Sequence, residues 1–329
     1  MTIAGLISCH NAEKTFPDFD YQSGYFPYQF PVRTLVLGDY IYDNANDNAH
    51  KFVISVALGG MYENTKDRKF IFAVDNTLCN NILFKAGGDP IKALPSNYYT
   101  LSSPDQIIVS AGNYNGGVTV QLTDAFFSDP LAIKNTYVVP LRLKSSADVD
   151  TILSGSSTNP NADPRVATQW NVAPKNFTLF AVKYINEYHG NYFHYGSNQV
   201  KDASGTVVEN TTYSQTYVEN NPAVLLTTTG RYQVTLPTSF RSTKITGLYN
   251  LLLTFNGTKC TVSAPAGSPY TITGTGDFVA KKYTWGNKER DGITLTYKVS
   301  NSAYTYEATE TLVARDRAVV METYTPVLQ

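Results

Sequence analysis

Apolar and polar side chains alternate along most of this chain. Phe52, Ile54, Val56 and Leu58 fall on one face of a strand, and Phe70, Phe72 and Val74 on one face of another. Successive strand side chains point to opposite faces, so a period of two marks half-buried β structure. Ile107 and Val109 face Val118, Val120 and Leu122 across Gly112-Asn113-Tyr114-Asn115-Gly116-Gly117, which predicts a hairpin. Val139, Leu141 and Leu143 close this region, and Gly59-Gly60, Asp89-Pro90 and Ser103-Pro104 punctuate it. Short helical turns are predicted around residues 78–84 and 125–133. About seven short strands with regular turns over residues 30–146 predict an immunoglobulin-like β-sandwich.

The alternation stops between residues 147 and 168. That segment holds Ser154-Gly155-Ser156-Ser157-Thr158-Asn159-Pro160 and reads as a polar linker that permits domain motion. Strands resume at Phe177 and continue to residue 324, with alternation such as Leu295, Tyr297 and Val299. Asn256-Gly257, Gly274-Thr275-Gly276 and Asp291-Gly292 separate them. So many sequential strands without helices predict an antiparallel β-barrel or a second sandwich over residues 169–329. A barrel leaves no exposed sheet edge, which favours closure. The chain is therefore all-β, with no internal repeat between its halves.

Composition narrows the function classes. Charged residues make up only 16% of the 329, while Tyr alone contributes 24. The net charge is −1 and the charges are interspersed. Nucleic acid binding requires clustered Lys and Arg, and no basic face is evident. Cys9, Cys79 and Cys260 are too few and too far apart for a disulfide framework or a zinc site. Cys79 and Cys260 read as small buried hydrophobes in different domains.

Cys9 stands apart. The chain opens Met1-Thr2-Ile3-Ala4-Gly5-Leu6-Ile7-Ser8-Cys9, and Leu6-Ile7-Ser8-Cys9 resembles a bacterial lipobox whose Cys receives the lipid. Residues 1–9 then read as the remnant of a signal peptide and residues 10–29 as a tether. The run lacks the positive n-region of a complete signal. No other stretch approaches the ~20 apolar residues of a membrane span, so any anchorage is by lipid.

Long framework tracts carry a family resemblance. Trp170-Asn171-Val172-Ala173-Pro174-Lys175-Asn176 leads through Phe177–Ile185 into Asn186-Glu187-Tyr188-His189-Gly190-Asn191-Tyr192-Phe193-His194-Tyr195-Gly196. With Trp285 to Ile293 and Val313-Ala314-Arg315-Asp316-Arg317, this resembles the C-terminal domain of two-domain surface lipoproteins of gut Bacteroidota. Gly59-Gly60, Leu94-Pro95-Ser96-Asn97-Tyr98-Tyr99 and Tyr137-Val138-Val139-Pro140-Leu141 resemble that family's N-terminal immunoglobulin-like module. The resemblance implies an outer-membrane, cell-surface location and association with polysaccharide utilisation loci. It supplies no catalytic residue. Asp150-Thr151-Ile152 also fits the short O-glycosylation motif of these bacteria.

No catalytic constellation emerges from the residues themselves. There is no nucleophile elbow and no phosphate-cradling glycine loop. His189, before Gly190, reads as a turn residue bonded to backbone, and its spacing from His194 does not suit a metal pair. Asp43-Asn44-Ala45-Asn46-Asp47-Asn48 lacks the order of a calcium loop and reads as a solvated hairpin loop. No cofactor or metal is expected. The aromatics remain, because rings stack on sugar faces and anchor interfaces. Tyr62 and Tyr114 in the first domain, and Tyr192, Tyr195, Tyr283 and Trp285 in the second, are the ligand-binding candidates. The expectation is a non-catalytic polysaccharide- or oligosaccharide-binding protein; the alternatives are a structural or adhesive subunit contacting another surface protein, and a hydrolase whose carboxylate pair is invisible in sequence.

Overall fold

The computed structural model describes residues 19–329. Cys9 and its neighbours lie outside the described residues. Two sheets pack face to face. One runs Thr151–Ile152, Ser23–Tyr25, Lys51–Gly59, Asn115–Leu122, Tyr99–Leu101. The other runs Glu322–Thr323, Pro31–Val36, Phe177–Ile185, Tyr137–Ser145, Arg68–Val74, Gln106–Val109, with Lys92–Ala93 beside Tyr137–Ser145. The alternating residues meet as expected: Phe52, Ile54, Val56, Phe70, Phe72, Val118, Val120 and Leu141 share one buried core. Val74, at its strand end, is exposed instead. The turns expected near 78 and 125 appear as Asn76–Cys79 and Asp124–Ser128.

The strand Tyr137–Ser145 is buried on both faces, Val138 facing a second core with Leu78, Phe84 and Leu179. That double burial explains its continuous apolar run. The expected hairpin at residues 107–122 is corrected: Gln106–Val109 pairs with Arg68–Val74, while Asn115–Leu122 pairs with Lys51–Gly59 in the opposite sheet. The turn is an arch between sheets. It requires Gly116, where a Cβ would lie 2.1 Å from the Ile108 carbonyl oxygen.

The second unit is an eight-stranded antiparallel barrel of Gly190–Asp202, Ala223–Gly230, Gln233–Ser239, Leu248–Asn256, Lys259–Ser263, Thr271–Trp285, Lys288–Ser300 and Tyr304–Asp316. Pairing of the last strand with the first, from Asn191↔Asp316 to Asp202↔Tyr304, closes it. Closure decides for a barrel over a second sandwich. Leu226, Leu236, Leu251, Val262, Ile293 and Leu312 fill the interior. Val207–Tyr213 flares off the first strand as an extra hairpin arm.

The two units are interleaved. Phe177–Ile185, grouped by sequence with residues 169–329, pairs with Tyr137–Ser145 and Pro31–Val36, so it belongs to the sandwich. The chain enters the barrel at Asn186, whose side-chain amide donates to Gly230 O and Gln233 O at 3.0 and 2.9 Å. The segment 147–168 is not a free linker. Thr151–Ile152 adds to a sheet edge, leaving Thr151 half-buried, and Arg165 donates to Leu78 O and Asn80 O at 3.0 and 2.6 Å. Residues 318–324, expected as a strand, form a strap. Its Glu322–Thr323 pairs with Pro31–Val36, returning the tail to the sandwich.

Candidate functional site

A cleft lies where sandwich, barrel and strap meet. One wall is the loop 39–42, which follows Pro31–Val36. Asn44 Nδ2 donates to Val36 O and Gly38 O at 2.7 Å each, and Asp47 accepts from Val36 N at 2.9 Å and pairs with Arg33. The amide-rich run is therefore a short helix, Ala45–Asn48, whose side chains bond the backbone; the solvated-loop reading is corrected. Gly38 has φ +82°, and a Cβ there would lie 2.5 Å from Glu187 Cβ. The loop thus runs tight against the barrel entry. It presents Tyr40 and Tyr42 edge to face at 5.3 Å, with Tyr42 67% exposed.

The strap forms the second wall. Arg317 donates to Asn186 O, Asp39 O and His189 O at 2.6, 2.7 and 2.8 Å. Glu322 accepts from Lys183 at 2.7 and 2.9 Å. Between these anchors Val320 and Met321 are exposed, Met321 at 98%. The cleft has two chambers joined at Tyr40, Tyr42, Val319 and Val320. The sandwich-side chamber holds ≈ 640 Å³ and adds Tyr28, Arg33 and Val53. The barrel-side chamber holds ≈ 880 Å³ and adds Lys288, Arg290, Asp291 and Arg315.

The six aromatic candidates separate. Tyr192 is corrected outright: it is 3% exposed in the barrel core and donates to Tyr188 O at 3.1 Å. Trp285 is half-buried, its ring edge-on to Phe193 at 5.2 Å and its Nε1 donating to Ala314 O at 2.9 Å. The Arg290 guanidinium covers it at 4.0 Å, so the indole supports the cleft rather than facing it. Tyr283 lies across Gly292, where a Cβ would meet its ring at 2.2 Å. Burial pushes the half-buried Tyr195 hydroxyl pKa up, with Tyr283 nearby as a smaller cause. Tyr62 and Tyr114 sit together on the sandwich: Tyr114 donates to Tyr62 O, and Tyr62 stacks on Phe19 at 5.3 Å. Neither lines the cleft.

Sequence reasoning missed Tyr40, Tyr42 and Arg290. Asp39-Tyr40-Ile41-Tyr42-Asp43, with three large side chains inside a polar loop, was the available signal. For Arg290 it was Gly286-Asn287, both at positive φ (+59° and +56°), a two-residue hairpin turn. That turn pairs Trp285 with Lys288 and Tyr283 with Arg290, which puts all four on one face.

His189 and the two described cysteines occupy structural positions. His189 Nδ1 accepts from Thr228 N at 3.0 Å, as its turn reading expects. Burial, then Arg317 and Lys183, brings its pKa down to about 4. Cys79 is half-buried and Cys260 buried, both are free thiols, and burial pushes each up to about 12. Among the described residues no group of three or more His, Cys, Asp or Glu could hold a metal.

Two family models match. One, for an N-terminal domain, covers residues 19–150; the other, a domain of unknown function, DUF5627, covers residues 187–318. No curated protein matches. A structural-genomics protein of unknown function from Bacteroides ovatus is 35% identical, with TM-score 0.88 over 94% of this chain and 100% of its own. A Bacteroides ovatus multidomain protein including DUF1735 aligns over 89% of this chain and 94% of its own, at 12% identity and TM-score 0.45. A Bacteroides ovatus protein provisionally named as carbohydrate-binding covers 92% of this chain and 97% of its own, at 12% identity and TM-score 0.31, too loosely to bear on this one. The chain belongs to the two-domain family of the first of these proteins, a β-sandwich followed by a DUF5627 barrel.

Proposed function

We propose that this protein is a non-catalytic, glycan-binding protein of the cell surface, held at the outer membrane by a lipid on Cys9 and acting in polysaccharide capture. The observation that carries the binding reading is the ring set Tyr28, Tyr40 and Tyr42 lining an open cleft beside the Arg33–Asp47 pair. Aromatic faces stack on the apolar faces of sugars, while fixed polar groups meet their hydroxyls. Three of the cleft carboxylates are engaged by neighbours, which supports binding over acid–base work by them. Glu322 pairs with Lys183, Asp316 accepts from Asn191 at 2.7 Å, and Asp291 accepts from Lys281 N at 2.9 Å. The lipid reading rests on Leu6-Ile7-Ser8-Cys9.

An array of plant, host and microbial glycans tests this with residues 19–329. A retained glycan whose affinity falls about tenfold in Tyr42→Ala supports the cleft. Retention unchanged in Tyr42→Ala and Tyr40→Ala would remove it. Palmitate labelling of the native precursor, lost in Cys9→Ser, tests the anchor.

A second reading has its own observation. Ile41, Val320 and Met321 expose apolar side chains along the cleft rim. Clustered exposed apolar surface marks protein contacts. Pull-down of one outer-membrane protein by wild type but not by Met321→Glu would favour it.

A further inference from the structure

The barrel-side chamber contains a cation with nothing to do. Arg290 is half-buried, and its Nε is fully shielded from solvent without an acceptor. Its guanidinium makes no hydrogen bond and no ion pair within the described residues, and it lies over the Trp285 ring at 4.0 Å. Burying a charged donor without an acceptor is costly, and native structures leave few such groups. Lys288 shares the same strand face two residues away, is exposed, and also lacks a carboxylate partner among the described residues. The other cations of the chamber are committed: Lys281 lies 3.9 Å from Asp39, Arg315 3.4 Å from Asp316, and Arg317 is spent on three carbonyls.

We propose that Arg290 and Lys288 form an anion subsite of the cleft, so that the glycan taken there carries carboxylate or sulfate groups. This rests on the glycan-binding reading above. A guanidinium presents a planar fork of donors that matches a carboxylate or sulfate edge, and stacking on Trp285 holds that fork before the ligand arrives. Trp285 is fixed in turn by its bond to Ala314 O and its edge contact with Phe193. Lys288 adds a point charge without geometric demand. The hydroxyl-lined hollow outside the barrel, ≈ 480 Å³ around Ser197, Thr296 and Thr309, has no comparable uncommitted charge, since its Glu307 pairs with both Lys201 and Lys298.

Affinity electrophoresis through polygalacturonate, dextran sulfate and neutral dextran tests it, on wild type, Arg290→Gln, Lys288→Gln, Arg290→Lys and Tyr42→Ala. At about 0.15 M salt, where loose surface attraction is screened, wild type is expected to be retarded by an anionic polymer and not by dextran. Which anionic gel retards it distinguishes carboxylate from sulfate. Arg290→Gln should weaken retention about tenfold, Arg290→Lys partly, and Lys288→Gln by a few-fold. Lys282→Gln removes a charge outside the cleft and should change nothing. An unfolding midpoint for Arg290→Gln within a few degrees of wild type excludes simple misfolding, and Lys288→Gln, at an exposed site, gives the same answer independently. Equal retardation by dextran, or unchanged retention in both variants, overturns the anion subsite. If Tyr42→Ala alone abolishes binding, the glycan reading survives and this one falls. If no polymer retards wild type, the anion subsite falls, and the glycan array decides the binding reading separately.

Discussion

Glu310 and His194 meet inside the barrel, Oε2 to Nε2 2.9 Å, with each side chain 1% exposed. The contact lacks hydrogen-bond alignment, but Tyr213 donates to the other Glu310 oxygen at 2.5 Å. This cluster joins the last barrel strand, the first, and the flared arm Val207–Tyr213. Removing one member leaves the others without a partner in a buried interior. Glu310→Ala should therefore cost about 1–3 kcal/mol. Glu310→Gln, which keeps an acceptor for Tyr213, should cost less. Urea unfolding checks both, and a loss under about 1 kcal/mol for the alanine variant would contradict this account.

The strap is held more by packing than by charge. Tyr324 lies against Phe30 at 5.6 Å and Phe84 at 4.8 Å and donates to Leu179 O at 2.6 Å. Tyr324→Ala should cost about 2–3 kcal/mol, below the full core value because the residue is only partly buried. Glu322→Ala should cost about 0–1 kcal/mol, since the Lys183–Glu322 pair is partly solvated. Limited proteolysis near Val320 should accelerate in Tyr324→Ala and scarcely change in Glu322→Ala.

His189 makes stability depend on pH in a stated direction. Its pKa is near 4 in the fold and 6.5 as an unperturbed imidazole. The unfolded chain binds the proton more readily, so stability is present above pH 6.5 and is lost as pH falls toward 4. The loss reaches up to about 3 kcal/mol. His189→Gln should flatten unfolding midpoints across that window. Asp75, Asp129 and Asp163, whose carboxyls also sit below their usual range, act at lower pH.

Trp285 separates support from contact. Trp285→Phe loses the bond to Ala314 O, about 1 kcal/mol, and part of the ring packing on Phe193, but retains a ring beneath Arg290. Ligand retention should survive it. Trp285→Ala removes the platform and should lower retention with Arg290 still present. Equal retention in the two variants, read by the same electrophoresis, would show that the platform has no role.

Sequence by itself determined what depends on local periodicity. Phe52 to Leu58 and Leu295 to Val299 alternate because one face of each strand is buried, and that pattern declares an all-β chain whatever the pairing. The turn at Gly257 and the backbone role of His189 were legible for the same local reason, whereas Gly274-Thr275-Gly276 and Asp291-Gly292, expected as turns, run inside the strands Thr271–Trp285 and Lys288–Ser300. Tertiary structure decided what depends on partners far apart in the chain. Phe177–Ile185 alternates no differently in a barrel than in a sandwich, so only its pairing with Val32 to Val36 assigns it. Tyr192 and Tyr283 are the same residue type on two barrel strands that are not adjacent, yet register points one inward and leaves the other over Gly292. The cleft joins Tyr40, Arg290 and Val320 from three distant segments. No local pattern carries that adjacency, because barrel closure and the returning strap create it.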